Sequence, residues 1–308
     1  LQYRYVSYQA WGVNDNYVSE EVGMQPIDVD KQYHFFNPRA GVSYTLAERN
    51  NFYLSFAVAQ KEPTRSDFTD RYKFAADDTY PSSEKLYDWE LGYQYTAPRL
   101  SLGVNLYYMK YKDQLVPTGM VNDDSNALNT NVPDSYRRGV ELSASWRATG
   151  WFTVGANATF SQNRIENYVD ALKYSPTYGR GLGDMTIAYS PDVIANAFLN
   201  FHHRGFEAVF HTQHVGKQYF TNNENDALSL DAYCVTNLNL TYTFRTRSAR
   251  SVRLGLLINN LFNAEYESNG YGYSYMDTWS GPAPVRIDEA YYFPQAPLNV
   301  LANVTVKF

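Results

Sequence analysis

The chain closes on the stretch Leu298-Asn299-Val300-Leu301-Ala302-Asn303-Val304-Thr305-Val306-Lys307-Phe308. Every second residue of this stretch is apolar, and these residues share one face because side chains alternate across an extended chain. The residues between them are mostly polar. A period of two predicts a β-strand with one apolar and one polar face. The strand finishes on an aromatic side chain.

Composition narrows the class of protein to which such a strand can belong. The 308 residues are 17% aromatic and include 29 tyrosines, whereas the mean hydropathy is only −0.48. The longest aliphatic run, at 254–258, is far shorter than the ~20 apolar residues of a transmembrane helix. We therefore exclude a helical membrane protein. Low hydropathy with abundant tyrosine is typical of a transmembrane barrel, in which only alternate residues face lipid and aromatic girdles mark both interfaces.

The single cysteine and the first residues add two expectations. Cys234 cannot form a disulfide within the chain, which excludes a cystine-stapled secreted domain. We interpret it as a small apolar side chain on an outward face. Residues 1–5 already alternate like a strand and resemble no signal peptide, so we expect the chain to begin inside the fold.

The same alternation predicts about a dozen strands along the chain. They lie near 1–11, 31–46, 51–61, 84–96, 100–115, 135–147, 151–166, 189–203, 206–219, 232–245, 251–261 and 289–308. Polar residues occupy the second face almost everywhere, which a water-facing interior explains better than a dry core. Seven residues on adjacent apolar ladders are predicted to face lipid: Leu238, Leu240, Tyr242, Phe244, Val300, Val304 and Val306.

The connections alternate between short and long. Short turns, such as 97–99 and 204–205, contain turn-forming or polar residues. The long segments lie near 12–30, 62–83, 116–134, 167–188, 220–231 and 262–288. Outer-membrane barrels have short periplasmic turns and long extracellular loops. The order of the connections therefore predicts a side for each of them and places Phe308 on the periplasmic side.

Charge follows the same division. The long segments are more acidic than the chain's net charge of −6 would suggest, and arginines collect at the short turns. Solvated loops also collect acidic residues without any sidedness, so this pattern fits both interpretations equally.

Five motifs follow one another in order along the chain. They are NPRAGVSY at 37–44, KEPTRSDF at 61–68, PSSEKLYDWELGY at 81–93, RGVEL at 138–142 and INNLFNAEY at 258–266. Together with the terminal Phe308, they resemble the C-terminal part of TonB-dependent outer-membrane receptors, the gated active transporters of Gram-negative bacteria. Residues 217–223 and 61–70 resemble members of the Bacteroidetes type.

The resemblance implies an all-β fold, a transmembrane antiparallel up-and-down β-barrel in the cell outer membrane. Residues 1–308 would form one barrel domain, supplying about 12 C-terminal strands of a barrel of about 22. Nothing in the sequence resembles the N-terminal plug or the first strands. The implied function is TonB-dependent import of a scarce bulky nutrient, an iron chelate, cobalamin or oligosaccharide, without enzymatic chemistry.

The resemblance also implies partners. These are outer-membrane lipid and lipopolysaccharide, the TonB complex acting through the plug, and the barrel-assembly machinery, which would read Phe308 as its signal. A surface lipoprotein is a further candidate. The sequence shows no basic, aromatic-interleaved surface for nucleic acid.

Two sets of loop residues are candidates for ligand contact. Arg65, Asp67 and Asp70 enter the second long segment, and Tyr271, Tyr273, Tyr275 and Trp279 form an aromatic, glycine-interrupted loop. The aromatic rings suit stacking on a sugar, corrin or aromatic ligand, although girdle or loop packing explains them equally well. Three acidic pairs, Asp67 with Asp70, 77–78 and 123–124, could bind Ca²⁺. No spacing matches a defined calcium loop, so we favour solvated carboxylates and expect no metal or cofactor.

An alternative remains open at this point, a smaller self-closed barrel acting as a porin or a lipid-acting enzyme. Bacterial barrels begin at 8 strands, so a dozen strands could close. In such a barrel, residues 1–11 would pair with residues 289–308. We expect instead that the sheet stays open.

Overall fold

The computed structural model describes residues 1–20, 23–69, 80–121, 127–172 and 175–308. The strands are β1 (Gln2–Ser19), β2 (Gly23–Asn37), β3 (Arg39–Leu46), β4 (Asn50–Lys61), β5 (Glu84–Ala97), β6 (Leu100–Val121), β7 (Ala127–Arg147), β8 (Phe152–Ile165), β9 (Met185–Thr186), β10 (Val193–His203), β11 (Phe206–Val215), β12 (Gln218–Tyr219), β13 (Ser229–Leu230), β14 (Tyr233–Phe244), β15 (Ser251–Asn259), β16 (Glu267–Asp277), β17 (Val285–Pro294) and β18 (Asn299–Lys307). One short helix, α1, spans Arg65–Thr69. Among the described residues, no helix is long and apolar enough to cross a membrane.

One antiparallel sheet dominates the structure. Its strands follow the order β18-β15-β14-β11-β10-β8-β7-β6-β5-β4-β3, and β9 adds to β8. We call these eleven strands, without β9, the wall. Short turns join them on one side, as the sequence predicted. At 204–205, for example, Arg204 and Gly205 have φ of 48° and 86°, and His203 pairs with Phe206. Two consecutive positive φ angles are the twist that a two-residue hairpin prefers.

The register divides the wall into an apolar outer face and a polar inner face. Leu238 pairs with Ile258, which pairs with Val300, and the row of Tyr242, Leu254 and Val304 continues the same face. The seven residues predicted to face lipid therefore share the outer face, because paired residues point to the same side of a sheet. Asparagine and threonine residues such as Asn239 and Thr241 lie on the inner face.

The wall does not close on itself. Within the described residues, β18 pairs only with β15, β3 pairs only with β4, and β1 pairs with β2 rather than with residues 289–308. This is the open sheet that we expected. The self-closed small barrel needs the pairing that is missing here.

Prolines interrupt two predicted strands. Residues 31–46 form β2 and β3 with a break at Pro38, which has no N–H to donate to a neighbour. Its carbonyl still accepts a hydrogen bond from the Val58 amide at 2.9 Å. Residues 289–308 were predicted as one wall strand, but only β18 joins the wall. The preceding residues form β17, and Pro294 and Pro297 flank the break between the two strands.

The long connections contain more regular structure than the sequence suggested. β1 and β2 extend through much of 12–30, β6 and β7 through much of 116–134, and β16 and β17 form a hairpin within 262–294. We give the name loop layer to the described residues of the six long connections, together with the strand ends that project among them. These residues are 12–20, 23–30, 62–69, 80–83, 116–121, 127–134, 167–172, 175–188, 220–231 and 262–294.

The loop layer has a hydrophobic core of its own. Three clusters are centred on Ile165, Leu128 and Phe220, which are at most 2% exposed. The largest fully buried side chains in the described structure are Phe220, Leu128, Ile165, Leu228, Val116, Asn222, Thr221 and Ser135. All of them lie in the loop layer or where the wall strands enter it.

Candidate functional site: a tyrosine face above a carboxylate-lined wall

The β16–β17 hairpin is seated on the loop layer through its glycines. A Cβ atom on Gly270 would lie 2.7 Å from the ring of Phe220, and one on Gly272 would lie 2.8 Å from that ring. Only glycine lets the buried Phe220 approach the strand this closely. The glycines that interrupt the tyrosines in the sequence therefore form the packed back of the hairpin.

Polar contacts hold the same back. Asp288 accepts hydrogen bonds from the Ser274 hydroxyl at 2.7 Å, Arg286 Nε at 2.8 Å and Asn225 Nδ2 at 2.9 Å. Burial raises the pKa of Asp288, but these hydrogen bonds together bring it below the ordinary value. The hairpin is thus fixed to the 220–230 segment by a charged group as well as by packing.

The front of the hairpin carries the tyrosines. We call this the tyrosine face, and it consists of Tyr271, Tyr273, Tyr275, Glu289, Tyr291 and Phe293. Tyr271 and Tyr291 stack with ring centroids 4.9 Å apart. Tyr271, Tyr275, Tyr291 and Phe293 are 40–50% exposed. Rings on a rigid two-stranded support are preorganised for stacking against a ligand.

Three phenols converge on one carboxylate at the centre of this face. Glu289 accepts hydrogen bonds from the hydroxyls of Tyr273 at 2.7 Å, Tyr291 at 2.8 Å and Tyr275 at 3.1 Å. The bond from Tyr273, followed by those from Tyr291 and Tyr275, lowers the pKa of Glu289. In return, the bond to Glu289 raises the pKa of Tyr273 above its ordinary 10.0. The cluster stays anionic at the carboxylate and neutral at the phenols across the physiological range.

The sequence found half of this face. Tyr271, Tyr273 and Tyr275 lie on it together, whereas Trp279 is at the hairpin tip, 88% exposed. Glu289, Tyr291 and Phe293 were missed because residues 289–308 read as one wall strand. Their period of two was visible in the sequence, but their position opposite the tyrosines is a property of the structure.

Of the second set of candidates, Arg65 and Asp67 lie away from the tyrosine face, and Asp67 is held by hydrogen bonds within the protein. Asp67 Oδ2 accepts from the Thr64 amide at 2.6 Å and from the Thr64 hydroxyl at 2.7 Å, and its Oδ1 accepts from Asn129 Nδ2 at 2.8 Å. These bonds fasten α1 to β7. Arg65 is exposed on α1. Asp70 lies outside the described residues, as do the acidic pairs at 77–78 and 123–124.

The inner face of the wall carries a group of acidic residues for which the sequence assigned no role. Glu90 pairs in register with Tyr107, and Glu141 pairs with Asn105 and accepts its amide hydrogen bond at 3.2 Å. Glu90 belongs to the motif at 81–93, and Glu141 belongs to the motif at 138–142. Asp88 lies one row further along the same face of β5.

The glycines of the same two motifs shape this inner face. The ring of Tyr53 covers Gly92 so closely that a Cβ would lie 2.0 Å from it, and the Tyr107 hydroxyl lies 2.7 Å from the Cβ position of Gly139. Both tyrosine rings therefore lie flat across the strands instead of standing into the interior. Because these glycines leave room for the rings, the two tyrosine side chains project only a short way into the interior.

Polar acceptors on this face lack partners. Among the described residues, buried Asp88 Oδ1 and Asn105 Oδ1 have no hydrogen-bond donor. Beside them is a cavity of about 320 Å³ lined by Glu90, Arg137 and Glu141, among other residues. Buried acceptors without donors are uncommon in folded proteins.

An open antiparallel wall, apolar outside and polar inside, with short turns at one end and a loop layer at the other, is the architecture of part of an outer-membrane β-barrel. A family model described as TonB dependent receptor-like, beta-barrel matches residues 1–261. The chain belongs to this family of Gram-negative outer-membrane receptors.

Solved structures share the fold. The ferric yersiniabactin uptake receptor FyuA from Yersinia pestis has a TM-score of 0.65 at 18% identity, over 93% of this chain and 39% of that one. The ferric-catecholate import receptor Fiu from E. coli K12 has 0.64 at 18%, over 97% and 40%. The copper transporter OprC has 0.67 at 17%, over 95% and 42%. The chain thus spans about two fifths of the length of each of these proteins.

Proposed function

We propose that this chain is the C-terminal barrel part of a receptor that imports a scarce bulky nutrient by TonB-dependent transport. The observation that carries the proposal is the inner face, where the rings of Tyr53 and Tyr107 cover the motif glycines and the carboxylates of Glu90 and Glu141 lie among them. A water-filled pore would solvate such groups, whereas a folded plug would supply donors and cations to them. This favours a plugged transporter over a passive porin.

Ligand contact is the second part of the proposal. The tyrosine face offers stacking rings around a carboxylate whose remaining acceptor capacity is small, because three phenols already donate to it. Stacking would therefore dominate recognition. An iron chelate, cobalamin and an oligosaccharide all present faces that rings can cover. The three similar structures named above are receptors or transporters for ferric chelates or copper, which makes metal chelates the first compounds to test.

Uptake by cells tests the import proposal. Radiolabelled ferric chelates, cobalamin and oligosaccharides would be offered to cells carrying the receptor, with and without TonB, and with the inner membrane de-energised. We expect uptake of one class that needs both TonB and energy. Uptake of small solutes that persists without TonB would instead make the protein a passive pore.

A pair of variants tests the ligand contact. Tyr271→Ala with Tyr291→Ala removes the stacked pair, and Phe262→Ala, at a 75% exposed loop residue outside the face, is the matched control. Loss of one or two ring stacks should weaken binding by roughly 1–3 kcal/mol. Binding unchanged in the double variant would place the ligand site elsewhere.

Phe308 is proposed as the assembly signal. It follows β18 and is 93% exposed, so it contributes little packing to the described structure. Deleting it should lower the yield of receptor in the outer membrane far more than it lowers the stability of the molecules that do fold. Normal yield after deletion would remove this role.

A further inference from the structure

The centre of the tyrosine face brings together four side chains that end in oxygen. Glu289 lies directly opposite Tyr273 in the register, Tyr291 is two residues further along β17, and Tyr275 is two residues further along β16. Because the strands are antiparallel, the carboxylate has one phenol across from it and one on either side along the hairpin. We call these four residues the oxygen cluster.

The oxygens of this cluster have the spacing of ligands around a small cation. Glu289 Oε2 accepts from the hydroxyls of Tyr273 at 2.7 Å and Tyr291 at 2.8 Å, and Oε1 accepts from Tyr275 at 3.1 Å. For metal–oxygen bonds of about 2.0–2.1 Å, adjacent corners of an octahedron are about 2.8–3.0 Å apart. A cation that replaces the shared protons therefore requires only small movements of the side chains.

Charge and access also favour a cation. Glu289 gives the tyrosine face a negative charge, whereas Arg286 lies on the back of the hairpin, bound to Asp288 at 2.8 Å. Glu289 and Tyr273 are partly exposed, and the rings around them are more exposed still. A solute arriving at the loop layer can reach the oxygen cluster without any opening of the fold.

The donor types narrow the choice of cation. Carboxylate and phenolate oxygens are hard, anionic donors, and tyrosine is among the side chains by which proteins hold iron. A phenol has to lose its proton to become such a ligand, and phenols titrate near pH ~10. Ca²⁺ and Mg²⁺ are satisfied by carboxylates, carbonyls and water. A small trivalent ion has the higher charge needed to displace phenolic protons at neutral pH.

We propose that the oxygen cluster binds one ferric ion, with Tyr273, Tyr275 and Tyr291 as phenolate ligands and Glu289 as a carboxylate ligand. The ion replaces the three phenolic protons, which pass to water, so the net charge of the cluster is unchanged. Bonds from iron to water or to the delivering chelate break as the bonds to the protein form. The iron stays ferric, and no electron is transferred.

The ferric ion is cargo rather than a resident cofactor. The inference rests on the proposed function in one respect, that the tyrosine face is a ligand contact. It adds that the contact is made to the metal itself, in addition to the stacking of rings on a chelate.

Visible absorption of the full receptor, purified in detergent and titrated with ferric nitrilotriacetate, tests the site. We expect about one ferric ion for each chain, with a phenolate-to-iron charge-transfer band. Excitation in that band should enhance tyrosine ring modes in the resonance Raman spectrum. Ga³⁺, which has the same charge and no redox chemistry, should compete for the site, whereas an excess of Ca²⁺ or Mg²⁺ should not.

Variants that keep the rings separate coordination from stacking. Tyr273→Phe with Tyr291→Phe removes two ligand oxygens, and ferric affinity should fall at least about tenfold, since changes one shell further out already cost about 10–100-fold. Tyr271→Phe is the matched control and should keep the band. Its ring stacks on Tyr291 at 4.9 Å, but its hydroxyl is not one of the three that donate to Glu289.

Two results would overturn the ferric site. One is a wild-type receptor that shows no charge-transfer band at saturating ferric nitrilotriacetate, even if cells take up a ferric chelate through it. The other is a band of equal intensity and affinity in the double phenylalanine variant. Because the band is measured on purified receptor without TonB, failed uptake by cells would contradict the import proposal and leave an observed band as support for the ferric site.

Discussion

The wall and the loop layer differ in where they bury their apolar side chains. In the wall, both faces are largely exposed in the described structure, and large apolar side chains such as Leu142 and Val304 are 41% and 66% exposed. In the loop layer, Phe220 and Leu228 are at most 1% exposed. The wall is built for an apolar solvent on its outer face, whereas the loop layer must make a core in water. The same chain therefore follows two packing rules within one molecule.

The loop-layer core should be the more sensitive of the two to a cavity. Phe220→Ala removes a ring that contacts Gly270, Gly272 and Tyr292, and should cost about 3–5 kcal/mol. The loss should be local: limited proteolysis should cut the β16–β17 hairpin while the wall still migrates as a folded barrel. Phe262→Ala, at a 75% exposed ring, is the control and should change neither. Global unfolding of the Phe220 variant would show that the two regions are one cooperative unit.

The wall should be sensitive to charge rather than to cavities. Val304→Arg on the outer face should destabilise the protein by about 2–4 kcal/mol near the middle of the bilayer. Asn303→Arg is the matched control, because Asn303, which pairs with Gly255, lies on the inner face. Equilibrium unfolding from lipid vesicles measures both variants. Equal costs at the two positions would contradict the assignment of faces.

A buried amide holds the loop layer together across the sequence. Asn222 is fully buried, accepts from the Ala188 amide at 2.7 Å and donates to the Pro117 carbonyl at 2.5 Å. Asn222→Ala leaves the buried Ala188 amide and the partly buried Pro117 carbonyl without this partner, at about 1–3 kcal/mol each. Hydrogen exchange at Ala188 should accelerate, with wall amides unchanged. Asn223→Ala, at the adjacent residue, should leave that exchange as it is in the wild type.

The smallest expected effect lies in the titration of the tyrosine face. The folded-state pKa of Glu289 is below the ordinary 4.5, so its hydrogen bonds stabilise the hairpin fully above pH 4.5 and are lost as the pH falls through that lowered value. The pKa of Tyr273 is raised above 10.0, so its contribution is complete below pH 10 and is lost as the pH rises through the raised value.

Replacement of the carboxylate tests this arrangement. In Glu289→Gln, the pKa of Tyr273 should return toward 10, which NMR of labelled tyrosine rings can follow. Glu267→Gln, on the same hairpin, should leave it raised. A Tyr273 titration that ignores Glu289 would mean that the three hydrogen bonds do not form in solution.

The sequence predicted the wall well and the loop layer poorly, for a physical reason. A strand between lipid and water must alternate apolar and polar residues, so the period of two at 298–308 and 232–245 predicted strands there. The β16–β17 hairpin has glycines where an apolar face would be expected, since Phe220 fills the space from outside the strand. Its partner is a residue distant in sequence, which periodicity cannot reveal. The tyrosines were found by type, and Glu289 could be found only by its position opposite Tyr273.

The hydrogen bonds of Asn222 determine how readily the loop layer could be exchanged between related receptors. Because Asn222 joins residues 117 and 188, and Glu224 accepts hydrogen bonds from Arg164 and Thr186, three long connections depend on one another's backbone. A single connection grafted from another receptor would lack these partners. The polar groups buried around it would then be left without their hydrogen bonds. We therefore expect that the loop layer can be exchanged as a whole, cut at the strand ends, far more readily than one loop at a time.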